Sequence, residues 1–177
     1  MAEISLCMIV KNEEKVLGRC LESAKELADE IVIVDTGSED RTREIAGSYT
    51  SLVYEIPWRD DFSQARNFSF SMATKEYCMW LDADDVISEE NRRKLLEYKG
   101  KMDGTEDVVM IKYTAGFDAA GRPSFTYYRE RILRNREDLR WKGRVHEAVE
   151  PRGNVVYWDA AIFHRKEGPG EPGRNLR

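Results

Sequence analysis

The sequence has little of what would mark several common architectures. Its 177 residues include three cysteines and two histidines. Cys7, Cys20 and Cys78 are odd in number, scattered and without a Cys-x-x-Cys spacing. They therefore suggest neither a disulfide framework nor a zinc site, and read as small buried hydrophobes in a reducing, cytoplasmic setting. There is no HExxH and no GxxxxGK[ST] phosphate loop. "GPGEPG" (168–173) does match G-x-G-x-x-G. It carries two prolines, sits at the C-terminal end and has no helix after it, so the match is fortuitous. The longest apolar run, "ISLCMIV", has seven residues, too few to span a membrane. The N-terminus lacks the basic-then-apolar layout of a secretory signal. Positive charge is also short: the net charge of −5 argues against nonspecific nucleic-acid binding.

What is present suits one globular domain, with 41% hydrophobic and 10% aromatic residues. Charge is unevenly spread. Residues 1–128 carry 16 basic and 25 acidic side chains, whereas residues 129–177 carry 12 basic and 8 acidic. The stretch "RERILRNREDLRWKGR" (129–144) holds seven of those basic residues. It reads equally as a strand with a solvated basic face or as a wall that holds an anion.

Strand-like and helix-like segments alternate. "ISLCMIV" (4–10) is a continuous apolar run, as in a strand buried on both faces. Asn12 is expected to cap a helix over 13–27, where Val16, Leu17, Cys20, Leu21 and Ala24 share one face. "EIVIVD" (30–35) predicts a second strand, and Ser38 is the expected cap of a helix ending near Gly47. "SLVYEI" (51–56) predicts a third strand, 61–75 a helix, "YCMWLD" (77–82) a fourth strand. Ser88 should cap the helix that follows. Beyond about residue 106 the pattern changes to strands flanking the turn "DAAGRP", then "NVVYWDAAIFHR". The expected fold class is α/β, with a parallel N-terminal part and a largely antiparallel C-terminal part. The tail 166–177 is rich in Gly and Pro and is expected to be the cut end of a longer chain.

Ligands of open α/β sheets bind at the carboxyl ends of the strands. Here those ends read "VKNEE", "VDTGSED", "PWRDDFSQARN" and "LDADD". Four polar ends on one sheet edge imply a polar pocket. Three carboxylates within "DADD" repel one another unless something offsets their charge. A hard divalent cation, Mg2+ or Mn2+, does so with oxygen ligands.

In order and spacing, "CMIVKNEE", "IVIVDTGSEDRT", "DDFSQARN", "WLDADD" and "RWKGRVHEAV" resemble family 2 glycosyltransferases of the GT-A fold. The nearest resemblance is to a bacterial subgroup that often carries C-terminal tetratricopeptide repeats. It covers about residues 4–165, so the catalytic domain is expected over 1–165. The resemblance implies a metal-dependent inverting transfer from a nucleotide-sugar donor, a UDP-sugar above all. The acceptor would be a glycan, a lipid carrier or a protein side chain. By the same resemblance Val10, Lys11 and Glu13 line the nucleotide base and Asp35 hydrogen-bonds it, while Gly37 and Asp40 shape the loop. Arg66 contacts base or phosphate, with Asn67 bracing it. Asp82 meets the ribose or a metal-bound water, Asp84 ligates the metal, and His164 is a later metal or diphosphate ligand. Asp85 caps the next segment or adjusts the site.

An inverting reaction needs a base opposite the leaving group, and "VHEAV" offers His146 and Glu147. Glu147 is preferred: carboxylates fill the role in this family, and strand alternation would send the two neighbours to opposite faces. Trp141 either stacks on a sugar or belongs to the core. The Q/R-x-x-R-W motif of processive synthases is missing. Two other classes remain open. A sugar nucleotidyltransferase would need a Gly-rich basic loop after strand one, which "VKNEEKVLGR" lacks. A non-catalytic nucleotide-sugar-binding domain would need no base.

Overall fold

A computed structural model describes residues 2–166. The expected tail and the "GPGEPG" match lie outside the described residues, apart from Lys166 itself. In chain order the elements are β1 (Ile4–Val10), α1 (Leu17–Ala24), β2 (Glu30–Asp35), α2 (Thr42–Gly47) and β3 (Val53–Glu55). They continue with α3 (Phe62–Met72), β4 (Tyr77–Trp80), β5 (Asp85–Val86) and α4 (Glu89–Lys101). The C-terminal part holds β6 (Val108–Phe117), β7 (Pro123–Arg134), β8 (Trp141–Lys142), β9 (Ala148–Val149) and β10 (Val155–His164).

The main sheet has eight strands in the order β3-β2-β1-β4-β7-β6-β10-β5. β1 pairs in parallel with β2 and β4, and β2 with β3. β7 is antiparallel to both β4 and β6, whereas β10 returns parallel to β6. The fold is therefore α/β, with a parallel half and a mixed, mainly antiparallel half, as the sequence pattern predicts. β8 and β9 form a separate two-stranded ribbon.

Apart from Ser5, β1 is apolar because both its faces are covered. Leu6 and Met8 join the core that includes Leu17 and Leu21 of α1 and Leu95 of α4. Cys7 points to a second core built with Phe70 of α3, Trp80, Trp141 and Val149. Fully burying a leucine such as Leu17 or Leu21 stabilises the fold by about 2 kcal/mol. All three cysteines are free and buried. Among the described residues, no helix is long and apolar enough to cross a membrane.

Two helix starts differ from expectation. α1 begins at Leu17, not near residue 13, because Asn12 adopts φ +54° and uses its side chain elsewhere. Its Oδ1 accepts from the Glu39 N–H, and its own N–H donates to Ser38 Oγ. Ser38 is thus occupied and does not cap α2. Asp40 Oδ1 accepts the Thr42 N–H at the start of that helix. Ser88 caps α4 as expected, accepting from the Asn91 N–H, and Asp61 caps α3 by accepting from the Gln64 N–H.

Candidate active site

The parallel half brings the carboxyl ends of β1, β2 and β4 to one edge. Val10 is the register partner of Asp35, and Val10 O accepts the Thr36 N–H, so the first two strand ends are locked together. Asp35 is buried. Its Oδ1 accepts from the N–H groups of Gly37 and Ser38, which forms the turn. Gly37 sits at φ +106°, a conformation that favours glycine. Asp35 Oδ2 is buried without a hydrogen-bond partner among the described residues. An acceptor left in that state is costly until a donor reaches it. Lys11 is exposed, and Glu13 is half-buried with its N–H on Thr42 Oγ1.

Beyond β4 the acidic motif divides its carboxylates. Asp82 is the open one, with 39% of its side chain exposed. Asp84 and fully buried Asp85 turn toward His164 at the end of β10, and one ligand atom from each of the three lies within 4.8 Å of the others. Two-residue β5, which contains Asp85, pairs with Phe163 and His164 and so creates the contact. His164 Nδ1 lies 3.3 Å from Asp84 Oδ1 and 3.9 Å from Asp85 Oδ1. Neither contact is well directed: His164 Nδ1 and Asp85 Oδ1 are both buried without a hydrogen-bond partner. The contacts with Asp84 and then Asp85 outweigh burial and raise the imidazole to about 9. Two carboxylates and one imidazole with unspent, converging donor atoms fit a hard or borderline divalent cation.

In the interior Asp85 is paired with Arg131, a residue that the sequence pattern did not single out. Arg131 is fully buried, and its Nη1 donates to Asp85 Oδ2 at 2.9 Å. The guanidinium lies 3.9 Å from the Trp80 ring centroid and 4.4 Å from that of Tyr113. A β-bulge aims it: β7 pairs Ile132 with Val109 and then Glu130 with Met110, so Arg131 is skipped in the ladder. Four arginines of the 129–144 stretch are paired within the chain, with Arg129 on Glu130, Arg131 on Asp85, Arg134 on Glu76 and Arg136 on Asp107, whereas Lys142 and Arg144 are exposed.

Arg66, the expected base or phosphate contact, sits within α3 and is buried. It is 6% exposed. Its Nη2 donates to Asp82 Oδ1 at 2.7 Å and its Nε to Glu147 Oε1 at 2.8 Å. Its guanidinium lies 4.8 Å from the ring centroids of both Trp80 and Trp141. Burial pushes the Asp82 carboxyl up, but Arg66 and Arg131 outweigh it and leave the group below the usual carboxylate range. Asn67 braces the backbone of Trp141, not Arg66, by a pair of hydrogen bonds. Trp141 is core, edge-on to Phe70 and Trp80. His146 and Glu147 do not alternate on a strand. They lie in the turn between β8 and β9, where His146 takes φ +58° and is exposed while Glu147 is turned inward.

With that geometry in place, the comparisons with known proteins identify the class. Residues 5–153 match the model of glycosyl transferase family 2, and the chain belongs to that family. It is 38% identical over 173 residues to a TPR repeat-containing protein of Synechococcus elongatus, covering 92% of this chain and 42% of that one. It is 33% identical over 170 residues to the lipopolysaccharide core biosynthesis glycosyltransferase LpsC of Rhizobium meliloti, covering 86% and 58%. The chain thus spans about two fifths to three fifths of the length of these two relatives. Among solved structures, S. aureus TarS 1–349 in complex with UDP-GlcNAc superposes with a TM-score of 0.67 at 19% identity, covering 95% of this chain and 60% of that one. Glucosyl-3-phosphoglycerate synthase of Mycobacterium tuberculosis, with Mn2+ and UDP-Glc, gives 0.52 at 20% identity, covering 63% and 44%. These two likenesses concern the fold.

Proposed function

We propose that this domain transfers a sugar from a UDP-sugar to an acceptor hydroxyl or comparable nucleophile, with inversion at the anomeric carbon and with a divalent cation. The acceptor is a glycan, a lipid carrier or a protein side chain. The observation that carries the reading is the cluster of Asp84, Asp85 and His164, at the same sheet edge as open Asp82 and as Asp35 with its unpaired Oδ2. The solved complexes of TarS with UDP-GlcNAc and of the mycobacterial synthase with Mn2+ and UDP-Glc support the same donor class.

Val10, Lys11 and Glu13 border the base. Asp35 Oδ2 accepts the N–H of a uracil, which relieves its unpaired state. Asp82 faces the ribose. Asp84, Asp85 and His164 would hold Mg2+ or Mn2+, which offsets charge on the diphosphate as it departs. Glu147 takes the proton of the acceptor O–H. The acceptor oxygen bonds to the anomeric carbon as the carbon–diphosphate bond breaks, and the diphosphate leaves with the electron pair. The test is calorimetry of UDP and UDP-sugars with Mn2+ and with EDTA, alongside assays of donor hydrolysis and transfer. Tight UDP binding in EDTA would remove the cation from the reading. Donor binding without turnover would leave a binding domain, and pyrophosphate release from a nucleoside triphosphate would indicate a nucleotidyltransferase.

A further inference from the structure

We propose that Arg66 is a positioning residue for Glu147, and that it sets the place of this carboxylate relative to Asp82 on the donor side. The inference rests on the reading of Glu147 as the base.

The backbone around Glu147 is poorly suited to aim a side chain. It joins two strands of two residues each, and Gly143 and His146 both have positive φ, at +97° and +58°. The ribbon is held at its root, where Asn67 on α3 grips Trp141, and once in its turn, where the Phe62 N–H donates to Arg144 O. Neither tie reaches the Glu147 carboxylate. Among the described residues, the hydrogen bond to that carboxylate comes from Arg66 Nε. Arg66 sits on the same helix, α3, that grips the ribbon root. Helix, ribbon and carboxylate therefore form one assembly.

The guanidinium itself has little freedom. It is planar, buried, 4.8 Å from each of two tryptophan ring centroids, and donates from two different nitrogens to two different carboxylates. A fixed fork holding both acceptors fixes the distance between them. A lysine keeps the charge but has one flexible ammonium, so it cannot impose that spacing. A misplacement of about 1 Å can cost about 100-fold in the chemical step while leaving substrate binding largely intact.

A double-mutant cycle of Arg66→Lys and Glu147→Gln, read by kcat, donor KM and donor Kd, tests the proposal. Arg66→Lys should lower kcat by about 10- to 100-fold with donor Kd within about threefold of wild type. In the Glu147→Gln background the same change should cost less than about threefold, because both act through one group. If Glu147→Gln abolishes transfer and Arg66→Lys still costs its full factor there, the positioning role is wrong although the base is right. If Glu147→Gln keeps its kcat, the base reading fails and the inference falls with it. A donor Kd weakened more than tenfold at unchanged kcat would make Arg66 a donor contact and overturn the proposal. If Arg66→Lys does not fold, hydrogen exchange of residues 143–149 in Glu147→Ala decides. Faster exchange confined to the turn supports the latch, and unchanged exchange overturns it.

Discussion

Two arginines, Arg66 and Arg131, approach the same indole, that of Trp80, and serve carboxylates of the same acidic motif, yet their surroundings differ. Arg131 and Asp85 are both fully buried. Arg66 is nearly as buried, but its partner Asp82 is 39% exposed and Glu147 13%. The Arg131 side is closed and belongs to the folded core, where the guanidinium holds Asp85 beside His164. The Arg66 side opens to solvent through Asp82. The same pair of residue types thus builds a closed floor at Asp85 and an open rim at Asp82, both against Trp80.

The comparison can be broken most directly at Arg131. Removing one partner of a fully buried pair strands the other charge, so Arg131→Met should cost about 3–5 kcal/mol in urea unfolding. Arg66→Met should cost less, about 1–3 kcal/mol, because water can reach Asp82 once the guanidinium is gone. Equal losses would erase the distinction between floor and rim. Asp84→Ala touches neither pair directly. It should take from stability only the share that Asp84 lends to His164, and remove the Mn2+ enhancement of UDP affinity, an effect of about tenfold or more by calorimetry. UDP binding that stays cation-dependent in this variant would move the metal away from the His164 cluster.

The smallest effects concern pH and have opposite signs on the two sides. His164 has a raised folded value, about 9 against an ordinary 6.5. Its contribution is complete below 6.5 and is lost as pH rises through 9, when the folded protein releases its proton. Asp82 has a lowered folded value. Its contribution is complete above the ordinary carboxylate range and is lost as pH falls through the folded value. In EDTA, the urea midpoint should therefore decline toward alkali in wild type and not in His164→Gln. The acid limb should flatten in Asp82→Asn. A midpoint flat from pH 6 to 9.5 in wild type would show that His164 gains nothing from its acidic neighbours.

The parallel half was legible because strands buried on both faces must be continuously apolar, as Ile4–Val10 and Tyr77–Trp80 are. The sheet edge that gathers Val10, Asp35 and Asp82 followed from that. Local propensity misled at Asn12 and Ser38, typical capping residues that instead bind loop partners made available by the tertiary fold. Asp85 was seen only as a cap or an adjuster, since a two-residue strand leaves no periodic trace. Arg131 was the hardest to see. In "RERILR" nothing distinguishes it from Arg129 or Arg134, and its inward aim comes from a bulge in β7 that exists only once the strand is paired with β6. The ribbon carrying Glu147 was mistaken for a strand because its turn depends on Gly143 and on a positive φ at His146, which a histidine does not advertise.

The arrangement around Arg66 has a consequence for inheritance. Positions 66, 82 and 147 are far apart in the chain but share one buried cation. A lineage that changes one of them alone leaves a stranded charge or a loose carboxylate, and is disadvantaged until a second change restores the balance. The three positions should therefore drift together or not at all, with Trp80 and Trp141 admitting only replacements that keep a flat ring beside the guanidinium. Neighbouring exposed residues such as Arg144 and Val145 carry no such constraint and are free to diverge with whatever acceptor each descendant meets.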